Sequence, residues 1–230
     1  MCGRFVQVEK PEFYAKHFAV DVVRTETITP SWNVAPTMDV YGVAEHEDER
    51  VLTSFRWGLV PFWAKDPKIG ARAINARIET APDKPMFRDS FATRRCLIPL
   101  DGFYEWERKA KGKLPHYIRN RDRTPLSAAG LWASWRDQDT GDRLVTCTIL
   151  TGEPNRLVTA IHDRMPVIIP AKHWAAWLDP ATGPDAARGL VSSYPPEALE
   201  EFPVSTLVNN VRNDSPANLV PLTTPIVDSE

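Results

Sequence analysis

Apolar positions along this chain fall in short runs and alternations bounded by prolines, not in long helical stripes. "WNVAPTMDVYGV" and "RVLTSFRWGLVPFW" read as strands with proline-marked turns. "RRCLIPLDGFYEWE" reads as two short strands around Asp101-Gly102, a turn dipeptide. "LPHYIRN", "LSAAGLWASW" and "RLVTCTILT" are further strands, and "MPVIIP" a buried one. Helical spacing is confined to short stretches. "KPEFYAKHFAV" puts Pro11 near a helix start, with Phe13, His17 and Phe18 on one face. "NRLVTAIH" makes a short helix with Asn155 as its cap. "AKHWAAWL" is amphipathic, "PPEALEEF" is a short helix, and "PVSTLVNNVRND" is a strand running into a polar turn. No internal repeat or long low-complexity linker interrupts the pattern. It predicts a single α+β domain over residues 1–230, a strand-rich curved sheet or barrel with short flanking helices.

Composition sharpens this picture. Of 230 residues, 21 are prolines, which suits many fixed turns and edge strands. The formal net charge is -2, so any nucleic-acid site must be a local patch. The 3 cysteines, Cys2, Cys96 and Cys147, lack the number and spacing of a disulfide framework or zinc site, which suits a reducing cytosol. "MCGRFVQVEKPEFYAKH" has no apolar run of a signal peptide, and no stretch approaches the roughly 20 apolar residues of a membrane span. CxxC, HExxH and glycine-rich phosphate loops are absent, so neither metal nor cofactor is expected.

Cys2 raises the sharpest question. Met1 is removable when the second residue is small, and Cys2 would then carry both a free α-amine and a thiol. An α-amine ionises near 7.7–8.0, against about 10.4 for lysine, so roughly a quarter of such amines are neutral near pH 7.4. The thiol, at about 8.5, is a few per cent thiolate there. This 1,2-aminothiol condenses with an aldehyde to an imine, which the sulfur closes to a five-membered thiazolidine. The plainer role for Cys2 is a small, half-buried hydrophobe.

"INARIET" holds Asn75 and Arg77, otherwise a strand end with a surface arginine. In "DGFYEWE", alternation turns Glu105 away from Tyr104 and Trp106. A shielded carboxyl there would have a raised pKa and serve as general acid or base; on an open strand it would only be solvated. His162 stands just before a buried strand in "IHDRMPVII", where it is either a proton-transfer group or a satisfied core histidine. His17, His46, His116 and His173 read as structural. "RWGLVPFWAKDPK" sets Trp57, Phe62 and Trp63 among Arg56, Lys65 and Lys68. Ala71 to Arg95 carries six Lys/Arg against Glu79, Asp83 and Asp89. Aromatics beside local positive charge suit single-stranded nucleic acid. Trp132, Trp135, Trp174 and Trp177 read as core.

"MCGRF", "WNVAPT", "RWGLVPFW", "INARIET", "RRCLIPLDGFYEW", "IHDRMPVII" and "PVSTLVNNVRND" occur in this order. On these motifs, from Cys2 to about Val220, the chain resembles the SOS-response-associated peptidase (SRAP) family, whose members shield abasic sites in DNA. The resemblance implies a single α+β domain with a strand-rich pseudobarrel. It implies binding, as a monomer, to single-stranded DNA or single-strand/double-strand junctions containing an abasic site, within the cytoplasm at damaged DNA. It implies a thiazolidine crosslink between the N-terminal cysteine and the ring-opened sugar. Cys2 matches the nucleophile. Asn75 would position Cys2 and the sugar, Glu105 would move protons, and His162 would assist ring opening. Arg4 and Arg77 would hold phosphates, and Asn33 and Trp63 would line the DNA path. Ala64 stands where some bacterial relatives carry a second tryptophan.

Three other functions fit parts of the pattern. Cys2, Glu105 and His162 could serve a cysteine-type peptidase that cleaves after Met1. A glutamine amidotransferase domain also begins Met-Cys-Gly, but its Asn-Gly element is missing here. A reversible reader of modified bases would bind DNA without using Cys2 covalently.

Overall fold

The computed structural model describes residues 2–222. Its strands are β1 (Arg4–Gln7), β2 (Val22–Val23), β3 (Ser31–Val34), β4 (Asp39–His46), β5 (Glu49–Trp57), β6 (Asn75–Arg77), β7 (Arg95–Leu100), β8 (Gly102–Arg108), β9 (Lys113–Asn120), β10 (Leu126–Arg136), β11 (Arg143–Gly152), β12 (Met165–Pro166) and β13 (Leu199–Pro203). Its α-helices are α1 (Pro11–His17), α2 (Arg88–Thr93), α3 (Arg156–Thr159), α4 (Trp174–Leu178) and α5 (Pro184–Gly189).

The larger sheet closes on itself. Strands follow the order β11-β10-β7-β4-β5, each antiparallel to the next, and β5 returns to β11 through Arg56–Thr146 and Trp57–Cys147. An odd number of strands cannot alternate direction around a ring, so one seam must be parallel, and this is it. Beyond that seam β6 continues alongside β11, also parallel. The second sheet has the order β13-β9-β8-β1-β3 and is antiparallel throughout. The strand-rich, barrel-like α+β fold expected from the sequence is therefore present.

Alternation along the ring strands divides the core in two. Val40, Phe55, Trp57, Cys96, Ile98, Cys147 and Ile149 pack with Phe5, Phe103 and Ile118 of the second sheet and with Cys2. Tyr41, Val43, Leu52, Leu97, Leu131 and Leu150 face the other way, against Tyr14, Phe18, Phe91 and Trp177 from the helical layer.

Asp101-Gly102 is a corner between sheets, not the turn of a hairpin: β7 pairs with β10 and β4, whereas β8 pairs with β1 and β9. The Asp101 carboxylate accepts from the Val8 amide at 2.7 Å and the Tyr14 hydroxyl at 2.8 Å, and Tyr117 donates to the Asp101 carbonyl at 2.9 Å. A Cβ at position 102 would collide with the Tyr117 hydroxyl, so the corner requires glycine.

Other local expectations change in the structure. In α1 the buried face is Pro11, Tyr14 and then Phe18, while Phe13 is 43% exposed. "PPEALEEF" supplies one 3-10 turn at Pro196–Ala198 and then edge strand β13, because Leu199–Pro203 finds β9 as a partner. Past Pro203, the last residue of β13, "PVSTLVNNVRND" does not continue as a strand. It is a 3-10 turn at Thr206–Asn209, opened by the Ser205 hydroxyl accepting from Leu207 N–H, followed by loop. Asn155 caps α3 as its sequence predicts, accepting from the amides of Leu157 and Val158.

Candidate active site and DNA interface

Strand pairing carries Cys2 to the site. β1 lies against β8 with Arg4 opposite Tyr104 and Phe5 opposite Phe103, which brings the chain before β1 alongside Glu105. From the other sheet, β6 runs beside β11, and Asn75 Nδ2 donates to the Cys2 carbonyl at 2.8 Å. Asn75 Oδ1 is buried without a hydrogen-bond partner among the described residues. A buried amide oxygen left so is a standing acceptor for a ligand or substrate donor.

Glu105 is 1% exposed. Burial pushes its carboxyl up to about 7, where protonated and ionised forms coexist near neutral pH. Burial also pushes the Cys2 thiol well above its ordinary range, and the negative charge of Glu105 pushes it further. Cys2 is fully buried, so its thiol is held as SH when the site is empty. Cys96 and Cys147 are likewise free and buried.

The chain after α3 brings His162 to this region. Its Nδ1 accepts from the Arg164 amide at 3.0 Å and lies 2.9 Å from Asp163 Oδ1. The two contacts suit different charge states, since a neutral ring accepts from Arg164 through Nδ1 while an imidazolium donates to Asp163. Burial lowers the pKa of His162, favouring the neutral ring with its proton on Nε2. The Asp163 charge is also felt at Glu105.

Arg164 ties these segments together, a role the sequence reading missed. Its guanidinium forms a bidentate pair with Glu79, at 2.8 and 2.7 Å, and donates to the Thr151 carbonyl at 2.7 Å. Thr151 is the partner of Arg77 in the β6–β11 ladder. One side chain thus fixes the His162 turn against the segment bearing Asn75 and Arg77. Glu79 and Arg164 both stood inside quoted motifs, but no spacing rule could pair residues so far apart in sequence.

Arg77 is exposed beside Asn75. Arg4 Nη1 donates to Asn33 Oδ1 at 2.9 Å and to the Val208 carbonyl at 3.0 Å, and Arg4 lines an open cleft with Gly3, Trp106, Lys113 and Asn209. Trp63 is 48% exposed and lines a separate cleft with Lys65, Lys68 and Arg72. Trp57, grouped with Trp63 in the sequence reading, belongs to the core and donates to the Ile74 carbonyl. Arg95, counted in the basic segment, is buried and donates to carbonyls of Phe91, Ala92, Trp177, Asp179 and Thr182. Ala64 is buried with Val60 and Trp135.

Asn33 is 1% exposed, and its amide donates to the carbonyls of Val208, Asn210 and Asn213. It acts as a clamp on that loop and as the seat of Arg4. Asn33→Ala is expected to lower stability by about 2 kcal/mol, because buried loop carbonyls lose their donor. Urea denaturation checks this, and a loss under about 0.5 kcal/mol would mean that the loop holds itself.

Residues 1–211 match the family model of the SOS response associated peptidases, SRAP. The chain belongs to this family. It is 41% identical over 219 residues to the abasic site processing protein YoqW of Bacillus subtilis, covering 94% of this chain and 97% of that one. It is 29% identical over 228 residues to the abasic site processing protein YedK of Escherichia coli, covering 96% of this chain and all of the other. The fold superposes on a crystal structure of a protein from Bacteroides thetaiotaomicron with a TM-score of 0.87 at 23% identity, covering 96% of this chain. Among the described residues no helix is long and apolar enough to cross a membrane.

Proposed function

We propose that the protein processes abasic sites in single-stranded DNA or at strand junctions, trapping the lesion as a thiazolidine crosslink on Cys2. The observation that carries this is the meeting of three sequence-distant groups: the Asn75 amide on the Cys2 carbonyl, and the buried Glu105 carboxyl whose charge acts on the Cys2 thiol. Abasic-site processing is also what the names of the relatives state.

The chemistry follows from these groups once Met1 is gone; Met1 lies outside the described residues. With the thiol held protonated by burial, the amine attacks first. It adds to the C1′ aldehyde of the ring-opened sugar, and Glu105 delivers the proton with which water departs, leaving an imine. The sulfur then adds to the imine carbon, its proton passes to nitrogen, and the ring closes. Asn75 Oδ1 accepts from the amine or a sugar hydroxyl. His162 moves the proton that opens the sugar ring. Arg77 and Arg4 hold phosphates, Trp63 offers a stacking face, and Asn33 serves by holding Arg4.

The deciding experiment compares Met1-less protein with protein carrying an N-terminal extension, on single-stranded DNA with one abasic site. The mature form should give an adduct that survives denaturation, and the extended form none. Equal crosslinking by both would rule out the amine. A peptidase without a DNA role predicts no adduct in either.

Arg77→Ala should weaken binding about equally across single-stranded sequences and reduce the magnitude of the log–log salt slope by about 0.7, the loss of one phosphate contact. Titrations at several salt concentrations check it; strong dependence on base sequence would show that Arg77 reads bases.

A further inference from the structure

The β8–β9 hairpin ends in a cluster of cations that the reaction at Cys2 does not use. Arg108, Lys109, Lys111 and Lys113 stand almost in succession, and all are exposed. Glu107 neutralises only Lys109, at 2.6 Å. Arg108 and Lys113 sit directly opposite each other in the ladder. Like charges so placed repel and weaken a sheet. Among the described residues no carboxylate forms an ion pair with either. A hairpin mouth built this way is completed by an anion from outside. Pairing also aims it. Arg108 and Lys113 rise from the sheet face that carries Trp106, Tyr104 and Arg4. Lys113 lines the cleft of Arg4 and Gly3, next to Cys2 in the chain, and the Arg108 charge is felt at His162.

This cleft differs in kind from the one at Trp63. Its one ring, Trp106, is half-buried beside Tyr104, and its indole N–H donates to Asn209 Oδ1 at 2.7 Å. Phe62 and Trp63, by contrast, stand 59% and 48% exposed. Unpaired bases need free rings on which to stack. A duplex has its bases stacked already and asks only for cations at its phosphates. We propose that the hairpin, through Arg108 and Lys113, grips the phosphates of a duplex arm adjoining the lesion, while the Trp63 cleft takes the single strand, so that the protein prefers strand junctions. This rests on the reading of Cys2 as the abasic-site centre and names the second strand bound beside it.

The test is binding by fluorescence anisotropy to DNA without an abasic site, so that no adduct forms. The probes are a single strand and the same strand annealed to leave a duplex arm on one side or the other. Wild-type protein should bind one of the two junctions about tenfold more tightly than the single strand. The double variant Arg108→Gln/Lys113→Gln should lose on the order of tenfold in affinity for that junction, and the magnitude of its log–log salt slope should fall by about 1.8, the loss of two duplex phosphate contacts. Its affinity for the single strand should stay within about twofold. Removing the like-charge pair should leave the variant at least as stable in urea, which separates lost binding from lost folding. Equal losses on single strand and junction would put the hairpin on the single-strand path and overturn the proposal. So would no loss on either, or a wild type with no preference for a junction. The same probes carrying an abasic site keep the two readings apart: a wild type that needs the hairpin for junction binding yet forms no adduct would overturn the crosslinking reading alone.

Discussion

Met1-less Cys2→Ala protein is expected to form no denaturation-resistant adduct and to nick abasic DNA slowly. The substitution removes the sulfur and keeps the amine. The fully buried Cys2 side chain loses one heavy atom, costing about 1 kcal/mol, so the fold persists. The amine still condenses with the aldehyde, but nothing closes the ring. An imine acidifies the C2′ proton. Loss of that proton drives electrons toward C3′, the C3′–O bond breaks and the 3′ phosphate leaves. The thiol therefore protects the strand by taking the imine before elimination can. Denaturing gels with and without borohydride measure both branches: borohydride should reduce the imine to a stable amine and restore a covalent band. If the variant, confirmed by mass to lack Met1, neither nicks nor gives that band, sulfur attack must come first. The buried, protonated state of the thiol argues against that order.

The parts of this site that the sequence made legible are those where local pattern and chemistry coincide. Alternation alone turned Glu105 from Tyr104 and Trp106, and those rings indeed pack in a separate cluster with Val6 and Tyr117. The Asn155 cap was readable because its partners are two and three residues away. What pattern could not supply was pairing at long range. "PVSTLVNNVRND" has the residues of a strand, yet its backbone carbonyls go to Asn33, some 175 positions earlier in the chain. Asp101-Gly102 has the composition of a hairpin turn, but the Tyr117 hydroxyl and the Val8 amide make it a corner between sheets. His116 read as an ordinary histidine because its setting comes from Glu107 and Glu201 on two other strands. Asn33, expected along the DNA path, has its whole amide committed inside the protein. Each difference arises where tertiary contact assigns a partner that local propensity cannot name.

Glu105→Gln is expected to slow crosslinking by about 10²–10⁴ and, at alkaline pH, to make the protein more stable. The rate effect follows because glutamine fills the same volume and can neither give nor take the proton on which loss of water depends. The stability effect follows from burial. Burial pushes Glu105 up to about 7 in the folded protein, well above the ordinary carboxylate value near 4.5. Between those values the folded chain holds a proton that the unfolded chain has released. Stability from this group therefore falls as pH rises from 4.5 to 7, and the full penalty is present above 7. It amounts to something on the order of 3 kcal/mol. Glutamine cannot ionise and escapes the penalty. Urea denaturation of both proteins should show the variant ahead at pH 8, with the gap closing as pH falls through 7 and gone near 4.5. A variant that crosslinks at the wild-type rate would remove Glu105 from the chemistry. A stability gap equal at pH 5 and pH 8 would mean that the wild-type carboxyl is not held in its acid form by burial, and the proton for imine formation would have to come from elsewhere.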